Sequence, residues 1–239
     1  MSEPRGHVAL AIDAASTREA APLVELLAPH VGVLKVGLEL FTREGPSSVT
    51  WARGLGLDVF LDLKLHDIPE TVDRAVAAVC GLGARYLTIH AQGGAAMIER
   101  AATRAAREGG GLTVLAVTVL TSLDDADLRA QGIDATAADH AVRLARMALS
   151  AGAGGFVCSA GEVGRMREAV GRGPVLVTPG IRLADDAAGD QKRVASPADA
   201  IAAGSDLLVI GRPLRDAADP VAAARAFGAA VAQGLAARA

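Results

Sequence analysis

Val59-Phe60-Leu61-Asp62-Leu63-Lys64-Leu65-His66-Asp67-Ile68-Pro69-Glu70-Thr71-Val72 decides how the rest of the chain reads. It opens as a near-continuous apolar run, Val59–Leu63, as a strand buried on both faces requires. Charged residues then collect, and Pro69 follows where the first turn of a helix tolerates it. Val72, Val76, Val79 and Cys80 repeat after it on one helical face. The stretch is one strand–helix unit with its polar residues gathered at the carboxyl end of the strand.

The same unit recurs along the chain. Apolar runs at Val8–Ile12, Val33–Val36, Tyr86–Ile89, Leu112–Val119, Gly155–Cys158, Val175–Val177 and Leu207–Ile210 bring the expected strands to eight. Helical segments lie between them. Ser16 stands three before Glu19, the spacing of a capping box, ahead of Leu23, Leu26 and Leu27. Val142, Ala145 and Leu149 form one stripe and Val163, Met166 and Val170 another, while Ser196-Pro197 reads as an N-cap with proline at N1. Alternation of this kind implies parallel strands with right-handed crossovers, and eight units close into a (β/α)8 TIM barrel, an α/β fold. The rival, an open doubly wound sheet, calls for a glycine-rich dinucleotide turn after the first strand. That turn reads Asp13-Ala14-Ala15-Ser16.

Composition agrees. The 239 residues carry 24 Lys+Arg against 27 Asp+Glu, a net charge of −3, so no basic field invites a nucleic acid. With 51% hydrophobic but only 3% aromatic residues, the core is expected to be aliphatic. No linker or composition shift divides the chain, and residues 1–239 read as a single domain. The apolar run His7–Ile12 stops at Asp13, far short of the ~20 residues a membrane span takes. Cys80 and Cys158 lack CxxC spacing and read as buried thiols in a reducing, cytoplasmic setting.

In such a barrel the site lies at the carboxyl ends of the strands. Polar residues collect there: Asp13, Lys35, the Asp62–Asp67 cluster, His90 and Gln92, Thr118, Thr121 and Ser122, then Arg182 and Gly211-Arg212. Residues two apart on a strand share a face about 6.6 Å apart, which puts Asp62 and Lys64 on one side. Asp62 and Asp67 around Lys64 favour its charged form, and Lys35 adds a fourth charge from the neighbouring strand. The array reads either as catalytic or as a structural salt-bridge net. Asp13, Asp62 and Asp67 offer a magnesium site, but Lys35 and Lys64 already supply positive charge, so no metal is expected. Arg182 and Arg212 fall in the loops after the seventh and eighth strands, where these barrels bind phosphate. The polar segment Leu183–Val194 has the character of a lid.

Other residues stay open between two readings. His90 is either a ligand or a hydrogen-bonded structural histidine, and His66 either an acid–base group or a turn residue. Thr121-Ser122 either reads a polar ligand edge, or Ser122 caps Leu123–Arg129 with Asp125 three residues on.

The stretch Asp62–Val72 resembles the signature of orotidine 5′-phosphate decarboxylases. Supporting segments follow in order: Ala11-Ile12-Asp13, Leu34–Gly37, Val117–Ser122, Thr178–Arg182, Gly189–Arg193 and Val209–Pro213. The resemblance covers residues 7 to 235; Glu70 stands where many relatives have Asn. It implies the last step of de novo pyrimidine synthesis, conversion of orotidine monophosphate to UMP and CO₂ without metal or cofactor. By analogy Lys64 protonates C6 of the ring, bracketed by Asp62 and Asp67, with Asp62 facing the departing carboxylate. Asp13 and Lys35 bind ribose hydroxyls, Thr121 and Ser122 meet the pyrimidine edge, and Gln191 reaches over base and phosphate. Gly211 and Arg212 hold the phosphate, with Pro179 and Arg182 in the same closing region. The resemblance also implies a homodimer in which Asp67 and Thr71 enter the neighbouring subunit's site. The rivals are a magnesium-dependent decarboxylase of the 3-keto-gulonate-6-phosphate type, a pentose-phosphate epimerase, and a non-catalytic barrel that binds a phosphate ligand.

Overall fold

The computed structural model describes residues 3–183 and 195–238. Among these, eight strands close into a barrel: β1 Val8–Ile12, β2 Val33–Val36, β3 Asp58–Leu65, β4 Tyr86–His90, β5 Thr113–Val117, β6 Gly155–Val157, β7 Val175–Thr178 and β8 Leu207–Ile210. Neighbours are parallel throughout, and β1 pairs with β8 to close the ring. The helices are α1 Thr17–Leu27, α2 Leu38–Glu44, α3 Pro46–Gly54, α4 Pro69–Cys80, α5 Ala95–Glu108, α6 Asp125–Ala130, α7 Ala137–Ser150, α8 Val163–Val170, α9 Pro197–Ala202, α10 Arg212–Arg215 and α11 Pro220–Arg238.

The start signals act as their chemistry dictates. Ser16 accepts from the Glu19 N–H at 3.2 Å to open α1, and Ser196 accepts from the Asp199 N–H at 3.1 Å to open α9. Pro69 occupies the first turn of α4, whose Val72, Val76 and Val79 are buried. Three expectations change. The fifth strand ends at Val117 rather than Val119, because Thr118 turns both its N–H (3.3 Å) and its hydroxyl (3.0 Å) onto the Val157 carbonyl. Ser122 does not cap the following helix. Asp124 does, accepting from the Asp127 N–H at 3.1 Å, while the Asp127 carboxylate accepts from the Asp124 N–H at 3.0 Å. On α7 the buried face is Ala141, Leu144, Ala145 and Ala148, with Val142 and Leu149 at its margins.

Two apolar layers hold the barrel. Ala9, Val33, Phe60, Tyr86, Leu115, Val177 and Leu207 fill its interior, so it is a packed core and not a pore. A larger layer, including Leu10, Leu34, Leu61, Leu87 and Ile210, packs between strands and helices. The core is aliphatic apart from Phe60, Tyr86, Phe156 and Phe227, the three phenylalanines being fully buried. Gly155 is required where β6 closes against its neighbours: a Cβ there would lie 2.5 Å from the Val175 carbonyl oxygen. No helix among the described residues is long and apolar enough to cross a membrane.

Candidate active site

The third strand does not run straight into its polar end. Leu61 pairs with Leu87 and Leu65 with Ile89, so four steps along β3 face two along β4. The excess is absorbed at Lys64, which adopts φ +50° and is the one non-glycine residue with positive φ among those described. Such a conformation costs an L-residue roughly 1–2 kcal/mol. It is held by the Lys64 N–H, which donates to the Thr88 hydroxyl at 2.9 Å. From there the side chain folds back, and Nζ lies 2.9 Å from both Asp62 oxygens. Asp62 and Lys64 share a side as strand alternation implies, but a bulge brings them together rather than a regular pleat.

Lys35, on β2, extends the array. Its Nζ lies 3.6 Å from Asp62 Oδ2 and 3.9 Å from Asp13 Oδ1, giving an alternating row Asp13–Lys35–Asp62–Lys64. Burial pushes the Asp62 carboxyl up, but Lys35 and Lys64 with the hydrogen bonds from Lys64 and Thr88 outweigh it and hold the group below the usual carboxylate range. Lys35 and Asp62 are mostly buried, and removing Asp62 would leave Lys35 and Lys64 without their buried counter-charge at a cost of about 3–5 kcal/mol. Asp13 is more than half exposed and its share of the row is screened.

These side chains form one wall of a cavity of about 430 Å³ at the carboxyl ends of the strands. Thr121, Ser122, Pro179 and Gly180 line it beside them, and Arg182, Gly211 and Arg212 line it too. Gly180 stands at φ +77°, a left-handed conformation that favours glycine. Arg182 is buried and donates to the Ile181 carbonyl at 2.8 Å. Arg215 also lines the cavity, one helical turn after Arg212, and approaches Asp13 at 4.0 Å. It was not anticipated; its three-residue spacing from Arg212 on a helix directly after β8 is the signal that marks it. Cys158, expected as a structural thiol, is buried but borders the same space.

The profile of the Orotidine 5'-phosphate decarboxylase / HUMPS family matches residues 6–227. The chain belongs to this family. The orotidine 5′-phosphate decarboxylase of Anaeromyxobacter dehalogenans (strain 2CP-1 / ATCC BAA-258) is 56% identical over 227 residues, 95% of this chain and 99% of the relative. That of Thermobifida fusca (strain YX) is 52% identical over 223 residues, covering 93% and 94%. A crystal structure of orotidine 5′-phosphate decarboxylase from Lactobacillus acidophilus superposes with a TM-score of 0.82 at 36% identity, covering 95% and 99%.

Asp67 and Thr71 do not line the cavity of a single chain. Asp67 is exposed and its Oδ1 accepts from the Ile68 N–H at 2.7 Å; the carboxylate within salt-bridge distance of Lys64 is that of Asp62. Two carboxylates around Lys64 within one chain is therefore not what the fold assembles. Thr71 is exposed on the first turn of α4. Gln191, and the lid expected over Leu183–Val194 from residue 184 onward, lie outside the described residues. The rings of His66 and His90 lie 5.5 Å apart between centroids, tilted by 37°, and neither residue lines the cavity. Of the two readings of His90, the hydrogen-bonded one finds no support at Nδ1, which is buried without a partner among the described residues. Asp13, Asp62 and Asp67 do not gather as a magnesium site; among the described residues no three carboxylate, imidazole or thiol groups do.

Proposed function

We propose that this chain is an orotidine 5′-phosphate decarboxylase that converts orotidine monophosphate to UMP and CO₂, acting without metal or cofactor. The observation that carries this reading is the charge of the cavity. Lys35, Lys64, Arg182, Arg212 and Arg215 line it against Asp13 and Asp62, a formal surplus of three positive charges. Orotidine monophosphate brings a phosphate and a ring carboxylate, about three negative charges near neutral pH.

Loss of CO₂ leaves an electron pair at C6 of the pyrimidine. Lys64 stabilises that charge and then gives C6 its proton. Because Asp62 holds the ammonium at 2.9 Å, no group has to reorient as the charge develops. Asp62 faces the departing carboxylate, and Lys35 links the array to the ribose together with Asp13. Thr121 and Ser122 read the pyrimidine edge, with Gln191 over base and phosphate. Gly211, Arg212, Pro179 and Arg182 take the phosphate end, whose distant contacts hold the ring in place. Residues 1–239 act as one catalytic domain. Two chains pair so that Asp67 and Thr71 enter the partner site, a reading supported by their exposure and that of Ile68 between them. Cys80 and Cys158, which form no disulfide among the described residues, suit a reducing cytoplasm.

The test is to incubate purified protein with orotidine monophosphate in EDTA and follow the ultraviolet change. Decarboxylation at an undiminished rate is expected. No turnover overturns the assignment, and no turnover of orotidine monophosphate together with chelator-sensitive decarboxylation of 3-keto-gulonate 6-phosphate points to the magnesium-dependent decarboxylase of the same fold.

A further inference from the structure

Thr88 lies on β4 inside the barrel and is fully buried, yet its hydroxyl serves no other part of the core. It accepts from the Lys64 N–H at 2.9 Å and sits 2.9 Å from Asp62 Oδ1. The direction of each bond is fixed by chemistry: a peptide N–H only donates, so the hydroxyl accepts there and spends its one proton on the carboxylate. We infer that Thr88 is a positioning residue for decarboxylation, clamping the left-handed Lys64 backbone and the Asp62 carboxylate in one geometry. This inference rests on the function proposed above.

The clamp addresses what strand alternation leaves unsettled. Lys64 occupies a conformation that non-glycine residues avoid, at a bulge where the ladder with β4 is interrupted. A regular strand would satisfy the Lys64 N–H from a neighbouring carbonyl. Here a side chain 24 residues away does so, and the same atom fixes the anion that fixes the ammonium. Thr88 touches neither cavity nor substrate space, so its effect passes through Lys64 and Asp62.

Valine at this position keeps the shape and removes the hydroxyl. Thr88→Val should lower kcat about 10- to 100-fold, the effect of losing a hydrogen bond to a charged group, with KM nearly unchanged. Thr88→Ser keeps the hydroxyl and should stay within a few-fold of wild type. UMP binding confirms that each variant is folded. A second readout is independent of turnover: exchange of the Lys64 amide proton should be slow in wild type and Thr88→Ser and fast in Thr88→Val. Unchanged kcat in Thr88→Val, equal loss in the serine variant, or unchanged amide exchange each overturns the role of Thr88. No decarboxylation by the wild type overturns instead the reaction assigned above, and the exchange measurement still decides whether the clamp exists.

Discussion

The Nζ of Lys64 lies 2.9 Å from each carboxylate oxygen of Asp62, two residues before it on the same strand. The ammonium is thus oriented before any ligand arrives. Lys64→Ala removes the proposed proton donor while Asp62 keeps Lys35 at 3.6 Å and Thr88 at 2.9 Å, so the fold is expected to survive. General-acid and electrostatic contributions of this kind together should lower kcat by at least about 10⁴-fold, with UMP affinity within a few-fold of wild type. The ultraviolet assay and calorimetric titration with UMP measure the two halves. Near-normal turnover by the variant removes Lys64 from the chemistry.

The barrel was legible because each buried strand had to be apolar on both faces, and α1, α4 and α9 announced their starts through Ser16, Pro69 and Ser196. The Asp62–Lys64 pair was legible from a spacing of two. The bulge that joins them was not, since the hydroxyl that stabilises φ +50° at Lys64 comes from Thr88 on another strand. Local reading left the role of Ser122 open between cap and ligand contact, because Ser122 and Asp124 are both good acceptors and only the fold shows that Asp124 faces the first turn of α6. On α7 the alanines hid the buried face, since Ala weighs little in an apolar pattern yet Ala141, Ala145 and Ala148 are buried there. Arg215 escaped notice because a search of strand ends stops at Arg212, one helical turn too early.

The two arginines of that turn should differ in their effect. Arg212 is exposed at the cavity edge, while Arg215 is shared with Asp216 at 2.7 Å and with Asp13 at 4.0 Å. Loss of a guanidinium–phosphate contact removes a charge-assisted bond of about 1.5–3 kcal/mol, so Arg212→Ala should raise KM and weaken UMP binding about 10- to 100-fold. Arg215→Ala should weaken it less, because Arg215 stands one helical turn farther from β8 and is held back by Asp216 and Asp13. Binding of uridine, which lacks the phosphate, should change little in either. If uridine and UMP weaken equally, these residues do not grip the phosphate.

His90 supplies a pH dependence with a definite sign. Burial first, then the neighbouring His66 and Lys64, push its imidazole below the ordinary 6.5, with Asp62 pulling weakly the other way. The unfolded chain therefore takes up this proton at a higher pH than the native one. The neutral ring's contribution is fully present above pH 6.5 and is lost as pH falls through the lower native value. Melting temperature should decline on acidification through that window, and the decline should flatten in His90→Gln. Nuclear magnetic resonance of the His90 ring should show titration below 6.5. Titration at or above 6.5 contradicts the argument.

Asp67 gives the sharpest test of assembly. Within one chain its carboxylate accepts from the Ile68 N–H at 2.7 Å and lies outside the cavity, while Ile68 itself is 66% exposed. An isoleucine left in water at that position gains about 1.5–3 kcal/mol if a second chain covers it. Covering it would carry Asp67 and Thr71 toward the partner's Lys64. If each site takes Lys64 from one chain and Asp67 from the other, Lys64→Ala and Asp67→Ala homodimers are both inactive. A mixed dimer of the two variants then contains one intact site and one doubly impaired site. Random exchange of equal amounts makes half the dimers mixed, so about a quarter of wild-type activity should return. Sites complete within single chains predict a different result, since every chain in the mixture carries a lesion and mixing restores nothing. Dilution provides the control: the recovered activity should disappear where sedimentation shows the dimer dissociating, because the regained site exists only across the interface.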